Sequence, residues 1–323
     1  MDCSLEDHGI QTVVHSKSGS MCQIHEFGAT ILCYHPNPDK YSEVLFVSRD
    51  AVLNGTKAIR GGIPLVFPIF GPPADKENDD MPQHGFARRN FWKMDKSSLS
   101  DTETEAAMDF TLTVAADNDK IDGRGTKGLW APSATTSPAC ELRYRIVVKD
   151  ESLTTTLTMT NTGTIAFPVQ ALFHTYYEVH GKAALDTSKC SVTGLQGYDM
   201  VDKVDPDNSK SPDSTEAITI LKETDRVYSP PDGKNEVNVT LQLDRPTHTP
   251  IMCTAKGSVD GTVVPVSCVV WNPHEEKAKA MSDFGDDQHH EMICVEPGIL
   301  GKPILEPGKQ AVLEQVIAVS TTS

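Results

Sequence analysis

Two residues of complementary chemistry stand out in this chain, His174 and Glu296. Each lies within a distinctive tetrapeptide, Phe173-His174-Thr175-Tyr176 and Val295-Glu296-Pro297-Gly298. An imidazole can deliver a proton while a carboxylate removes one, and a cyclic sugar hemiacetal needs both acts to open its ring. Phe173, Tyr176 and Tyr177 flank His174 with aromatic surface, which offers a dry wall and a face on which a sugar ring stacks. Glu296 follows the apolar run Met292-Ile293-Cys294-Val295. Burial there raises a carboxyl pKa and a nearby arginine lowers it again, a tuning that suits a general base.

Three further segments carry binding chemistry. Ile59-Arg60-Gly61-Gly62-Ile63-Pro64 places an arginine beside a glycine pair that permits close approach of a ligand. The guanidinium fork of Arg60 fits phosphate or vicinal hydroxyls. Pro82-Gln83-His84-Gly85-Phe86-Ala87-Arg88-Arg89 gathers an amide, an imidazole and two guanidiniums. Gln83 and His84 suit sugar hydroxyls, and Arg88 and Arg89 suit an anion. Thr224-Asp225-Arg226-Val227-Tyr228 offers a carboxylate that accepts from hydroxyls, with a plain Asp–Arg surface pair as the alternative. Asp286-Asp287-Gln288-His289-His290-Glu291 holds metal-ligand types, but no forced third ligand is evident and it reads as a solvated loop. No metal or cofactor is expected. Nucleotide-binding glycine loops and a Gly-x-Ser-x-Gly elbow are absent.

The elements that position these residues read as strands. Ala106 to Val114, Leu142 to Val148, Leu153 to Thr160 and Val237 to Leu243 alternate apolar and polar residues, the mark of half-buried strands. Leu142–Met159 reads as a hairpin, followed by a turn at Asn161-Thr162-Gly163. Glu43 to Val47 and Val263 to Trp271 read as more deeply buried strands. Helical periodicity is scarce, with one short candidate over Glu275 to Phe284. The expectation is an all-β protein, a large antiparallel sandwich or barrel with few short helices. No linker interrupts it, so 1–323 reads as a single domain. The polar stretches 121–139 and 202–216 read as long exposed loops.

Composition narrows the partners. The chain has 323 residues and a net charge of −16, which disfavours nucleic acid and anionic membrane. An anionic substrate would need a local cationic patch, and His84 to Lys96 supplies Arg88, Arg89, Lys93 and Lys96. Eight scattered cysteines, none as Cys-x-x-Cys, read as reduced thiols of a cytosolic protein. The amino end lacks an apolar signal region, so a cytoplasmic location is expected.

Taken in order, Ile-Arg-Gly-Gly-Ile-Pro, Pro-Gln-His-Gly-Phe-Ala-Arg, Phe-His-Thr-Tyr, Thr-Asp-Arg-Val-Tyr and Val-Glu-Pro-Gly form a series. It resembles the glucose-6-phosphate 1-epimerases, or hexose-6-phosphate mutarotases, whose plant relatives include apospory-associated protein C-like proteins. The resemblance spans about residue 10 to the carboxyl end. It implies the galactose mutarotase-like β-supersandwich and a cofactor-free cytosolic enzyme acting on hexose 6-phosphates, as a monomer or weak homodimer. The family's catalytic pair falls on His174 and Glu296. Its substrate-binding residues fall on Arg60, Gln83, Arg88 and Asp225. Arg89 stands where many relatives lack an arginine, and 121–139 and 246–262 look like longer inserted loops. The Asn-His-x-x-Phe-Asn pattern of neutral-sugar aldose 1-epimerases is missing, which favours the phosphosugar branch. A neutral aldose 1-epimerase and a non-catalytic carbohydrate-binding or regulatory protein are the alternatives.

Overall fold

The structure is a computed structural model in which residues 9–73, 80–247 and 249–319 are described. Its strands follow the alternation in the sequence. In Cys140–Val148 the buried residues are Cys140, Leu142, Tyr144, Ile146 and Val148, and Ser152–Asn161 alternates likewise. These two strands form the expected hairpin and join a ten-stranded antiparallel sheet. That sheet runs Ala217–Ile218, Ser191–Thr193, Val237–Gln242, Ile251–Val259, Gln310–Val319, Ser152–Asn161, Cys140–Val148, Ala106–Val114 and Lys93–Asp101. Thr262–Val264 folds back onto Ile251–Val259 as the tenth strand.

A seven-stranded antiparallel sheet packs against it. Its order is Asp199–Asp202, Thr224–Ser229, Ser267–Asn272, Met292–Ile299, Ala171–Phe173 and Leu65–Val66, with Tyr176–Glu178 also paired to Met292–Ile299. The inner faces of both sheets share one core that includes Tyr144, Leu157, Cys253, Leu313 and Ile317 from one side and Phe173, Cys268, Val270, Ile293 and Val295 from the other. The Tyr144 and Phe173 rings meet 6.0 Å apart. Truncating one such side chain, as in Leu157→Ala, costs about 2–5 kcal/mol through lost burial and the cavity left behind.

The fold is the expected antiparallel β-sandwich, and its helices are short. The one α-helix among the described residues, His274–Ala280, ends earlier than the sequence pattern implied. Three readings need correction. Residues 246–262 are not a loop insertion: they contain Ile251–Val259, an interior strand of the large sheet paired on both sides. Its inward positions Ile251, Cys253, Ala255 and Gly257 are mostly small, so its alternation is muted in hydropathy. The 121–139 segment has no strand or helix but is packed, with Trp130 buried against Phe67, Phe86 and Phe167 and the Arg124 guanidinium donating to backbone carbonyls. Glu43 to Val47 is buried through Val44, Leu45 and Phe46, yet makes only isolated bridges at Leu45 and Val47. Among the described residues no helix is long and apolar enough to cross a membrane.

Candidate active site

Strand parity decides which side chains converge. In Met292–Ile299, Ile293 and Val295 enter the main core, while Met292 and Cys294 enter a smaller apolar cluster on the opposite face of the seven-stranded sheet. Glu296 has the parity of Cys294 and so points to that opposite face. In the neighbouring strand Cys268 and Val270 face the main core, leaving Val269 and Trp271 outside. Val269 lies opposite Glu296 in register, and Asp225 lies opposite Trp271. His174 follows Phe173, a main-core residue, and therefore falls on the same outer face as Leu172.

These residues line a cavity of about 290 Å³ together with Arg60, Phe70, Gln83, His84, Arg88, Lys203, Lys277 and Met281. Its size is near the lower end of small-molecule pockets, ~300 Å³, and fits one monosaccharide unit better than a polymer. A larger groove of about 510 Å³ lies elsewhere, lined by His15, Lys17, Glu103 and Asp150 among others. Its Lys17 is already paired with Glu103 at 2.8 Å, and it brings no acid–base pair together.

Two glycine turns bring the cavity rim close. At Gly62, with φ of +66°, a Cβ would sit 1.9 Å from the Ile31 carbonyl oxygen. At Gly85, with φ of +72°, it would sit 2.1 Å from that of Phe67. No L side chain fits either position without moving backbone. The first turn follows Arg60; the second follows His84 and leads into the 3₁₀ turn Ala87–Arg89 that carries Arg88.

The central pair is His174 Nδ1 and Glu296 Oε1, 3.3 Å apart. Both are almost sealed, at 7% and 1% exposure. The His174 ring stacks on Tyr176 with centroids 4.8 Å apart and planes 10° from parallel. Trp271 and His84 meet it edge-on. Burial pushes the Glu296 carboxyl well above its ordinary value; Asp225 adds to this, while Lys203 and Arg88 oppose it. Burial, then Arg88 and Arg60, push His174 well below its ordinary value. Across the interval between the two shifted values the pair therefore holds one proton.

The cationic groups differ in how far they are already neutralised. The Arg60 guanidinium donates to Tyr176 Oη at 3.2 Å and to the buried Asp283 carboxylate at 3.3 Å. Lys277 pairs with Glu223 at 2.7 Å. Lys203 sits 3.9 Å from Asp225, with its ammonium 4.1 Å over the Phe70 ring. Arg88 has no carboxylate partner among the described residues; Nη2 donates to the Gln83 carbonyl at 3.1 Å and Nε is buried without a partner. Burial, with Arg60 nearby, brings Arg88 down to about 10. Burial raises Asp225, and Lys203 and Lys277 counter it. Burial lowers the His84 value, and its Nδ1 accepts from the Gly71 N–H, which puts the proton on Nε2, 3.2 Å from the Gln83 side-chain amide.

Seven of the eight expected site residues thus line one cavity: His174, Glu296, Arg60, Gln83, His84, Arg88 and Asp225. Arg89 does not. Its guanidinium pairs with Asp122 at 3.1 Å, outside the cavity lining. Adjacent residues on a 3₁₀ turn diverge, so Arg88 and Arg89 cannot share a direction. Sequence reasoning missed Lys203, Lys277, Asp283, Phe70 and Trp271. Trp271 was available from parity, two residues past Val269. Lys203 gave no signal, because it emerges from the polar stretch 202–216; its N–H donates to the Asp225 carbonyl at 2.8 Å, which ties it to the sheet.

The aldose 1-epimerase family profile matches residues 11–318. A relative from Cenchrus ciliaris, provisionally named glucose-6-phosphate 1-epimerase, is 32% identical over 310 residues, covering 94% of this chain and 82% of its own. One from Escherichia coli K12, with the same provisional name, is 30% identical over 270 residues, 83% of this chain and 76% of its own. Among solved structures, a Salmonella typhimurium protein provisionally termed a mutarotase superposes with a TM-score of 0.75 at 23% identity, covering 98% of this chain and 92% of the other. The Slr1438 protein of Synechocystis superposes with a TM-score of 0.70 at 16% identity over 99% of both chains. These last two establish the galactose mutarotase-like fold, and the sequence match settles membership: the chain belongs to the aldose 1-epimerase family.

Proposed function

We propose that this enzyme interconverts the α and β anomers of hexose 6-phosphates, chiefly glucose 6-phosphate, through His174 and Glu296. The observation that carries this reading is a cavity that joins a one-proton His–Glu pair to Arg88, a half-buried cation without a carboxylate partner among the described residues. In a chain of net charge −16, an unneutralised guanidinium aimed into a sugar-sized cavity marks the place of an anion. The names of the Cenchrus and Escherichia coli relatives support the same substrate.

In this scheme Glu296 as carboxylate takes the proton of the anomeric hydroxyl, and His174 as imidazolium gives its proton to the ring oxygen. The C1–O5 bond breaks, and the aldehyde forms at C1. Rotation about C1–C2 turns the other carbonyl face inward. Closure reverses both transfers and returns the proton to His174. The substrate phosphate offsets Arg88 and Arg60, the two charges that depress His174, and so loads the shared proton onto the imidazole. Asp225, Gln83 and His84 Nε2–H orient the hydroxyls, and Trp271 and Tyr176 enclose the reacting pair. Each proton transfer contributes ~10²–10⁴-fold to rate.

The test is anomer exchange by NMR saturation transfer on glucose 6-phosphate and on glucose, for wild type and Glu296→Gln. Acceleration of the phosphosugar alone, lost in the variant, is the expected result. Equal rates on both sugars would move the assignment to a neutral aldose 1-epimerase. No acceleration of either by folded protein would leave a carbohydrate-binding role.

A further inference from the structure

Among the described residues, two groups of three metal-capable side chains have ligand atoms within 4.8 Å of one another. His174, Cys294 and Glu296 belong to the active site. The second group, Cys33, His35 and Glu43, does not line that cavity, and its donors are half-buried. We propose that Cys33, His35 and Glu43 form a binding site for a divalent transition metal of the zinc type, independent of the sugar chemistry.

The geometry is built by a strand and a tied carboxylate. Thr30–His35 alternates, so Cys33 and His35 leave on one side while Tyr34 between them is fully buried on the other. Glu43 arrives from the following segment and is fixed by three backbone donors. The N–H groups of Tyr34, Val44 and Leu45 all reach its Oε1, at 2.8, 2.9 and 2.7 Å. That leaves Oε2 turned to His35 Nε2, 2.9 Å away. The Cys33 Sγ lies 3.6 Å from Gln23 Oε1 on the neighbouring strand, where Gln23 and Cys33 are register partners.

A thiol, an imidazole and a carboxylate form the donor set that zinc-class ions favour over calcium or magnesium. Ligand atoms at ~2.0–2.3 Å on tetrahedral directions stand about 3.3–3.6 Å apart. The His35–Glu43 contact, now 2.9 Å, would open by about 0.4 Å, and the thiol, within 4.8 Å of both, would close by about 1.5 Å at most. Side-chain rotation covers both changes. Backbone donors that hold one carboxylate oxygen are the outer support that metal-ligating carboxylates require. His35 is 40% and Glu43 20% exposed on the side chain, so an ion can enter and a water can complete the coordination. Thiolate and carboxylate together would balance the dication, and the net charge of −16 draws cations to the surface.

The experiment uses the full chain, stripped with chelator and titrated with Co²⁺ and then Zn²⁺, beside Cys33→Ser and His35→Gln. The expected result is one equivalent of Co²⁺ with a near-ultraviolet thiolate-to-cobalt band, displaced by Zn²⁺. The band should vanish in Cys33→Ser, and affinity should fall at least tenfold in His35→Gln. Anomer exchange, measured in parallel, should stay within twofold with and without the metal. A wild type with no thiolate band overturns the proposal. So does a band that persists in Cys33→Ser, which would place the metal at His174, Cys294 and Glu296. Melting transitions report whether each variant folds, and His35→Gln keeps the test decisive if Cys33→Ser does not.

Discussion

Replacing Arg88 with methionine tests the anion reading most sharply, because two consequences must appear together. Methionine keeps much of the buried stem and removes the guanidinium. Burial beside Arg60 lowers Arg88 from 12.5 to about 10, so holding it charged at neutral pH costs on the order of 3 kcal/mol. A phosphate dianion removes that cost on binding. The variant should therefore raise KM for glucose 6-phosphate by roughly 100-fold, the equivalent of about 3 kcal/mol. Glucose brings no charge, so its exchange should stay unaccelerated in wild type and variant alike. The free variant, relieved of an uncompensated cation, should also melt above the wild type. Arg88 is the largest electrostatic cause, after burial, of the low His174 value. Its removal should shift the acid limb of the kcat/KM–pH profile upward as His174 regains its proton. Steady-state anomer exchange across pH, with calorimetric melting, reads all three. An unchanged KM for the phosphosugar would refute the assignment of Arg88, and an unmoved acid limb would refute its electrostatic hold on His174.

His174→Ala and Glu296→Ala should each lower turnover by ~10²–10⁴-fold with the fold intact by circular dichroism, and near-wild-type turnover in either would reject the scheme. The wild-type pH profile should place its His174 limb below 6.5 and its Glu296 limb above 4.5, because burial lowers the first and raises the second. A Glu296 limb at its ordinary 4.5 or a His174 limb at its ordinary 6.5 would contradict the corresponding shift. Glu296 also sets a pH dependence of stability. Its folded value is raised, so its contribution is fullest below 4.5 and is lost as pH rises toward the folded value; Glu296→Gln, which does not titrate, should gain on wild type in thermal melts as the solution is made alkaline. Arg89→Ala should leave the KM for glucose 6-phosphate unchanged within twofold, since its guanidinium pairs with Asp122, and a rise of tenfold would show that Arg89 reaches substrate.

The strands of the large sheet were legible where their inward residues are large. Leu142, Tyr144 and Ile146 announce their strand, and Val237, Val239 and Leu241 theirs. Ile251–Val259 was not legible, because Cys253, Ala255 and Gly257 are small enough to lie deep in the sandwich without a strong hydropathy signal. The His174–Glu296 pair was legible as chemistry, but neither its 3.3 Å contact nor its single proton was. Those depend on burial and on Arg88, Arg60, Asp225 and Lys203, which arrive from four separate segments. Arg89 shows the opposite failure: adjacency to Arg88 made it look like a second anion ligand, and a tight turn sent it elsewhere.

Strand register explains why Glu296, Asp225 and Trp271 line the cavity although their strands pack against the main core. Each strand of the seven-stranded sheet offers alternate residues to the main core and to the outer cluster. Ile293 and Val295 anchor one face, so Glu296 has no choice but the other; Cys268 and Val270 do the same for Val269 and Trp271, and Tyr228 for Asp225. A one-residue slip of Met292–Ile299 or of Thr224–Ser229 would turn Glu296 or Asp225 toward the main core. Desolvation of the buried Glu296 opposes the fold as its carboxyl ionises, yet the apolar residues on the inner face fix the register and resist that slip. The packing that stabilises the sandwich therefore also holds Glu296 where its carboxyl value is raised, and the placement of the cavity lining is a consequence of the same alternation that builds the sheet.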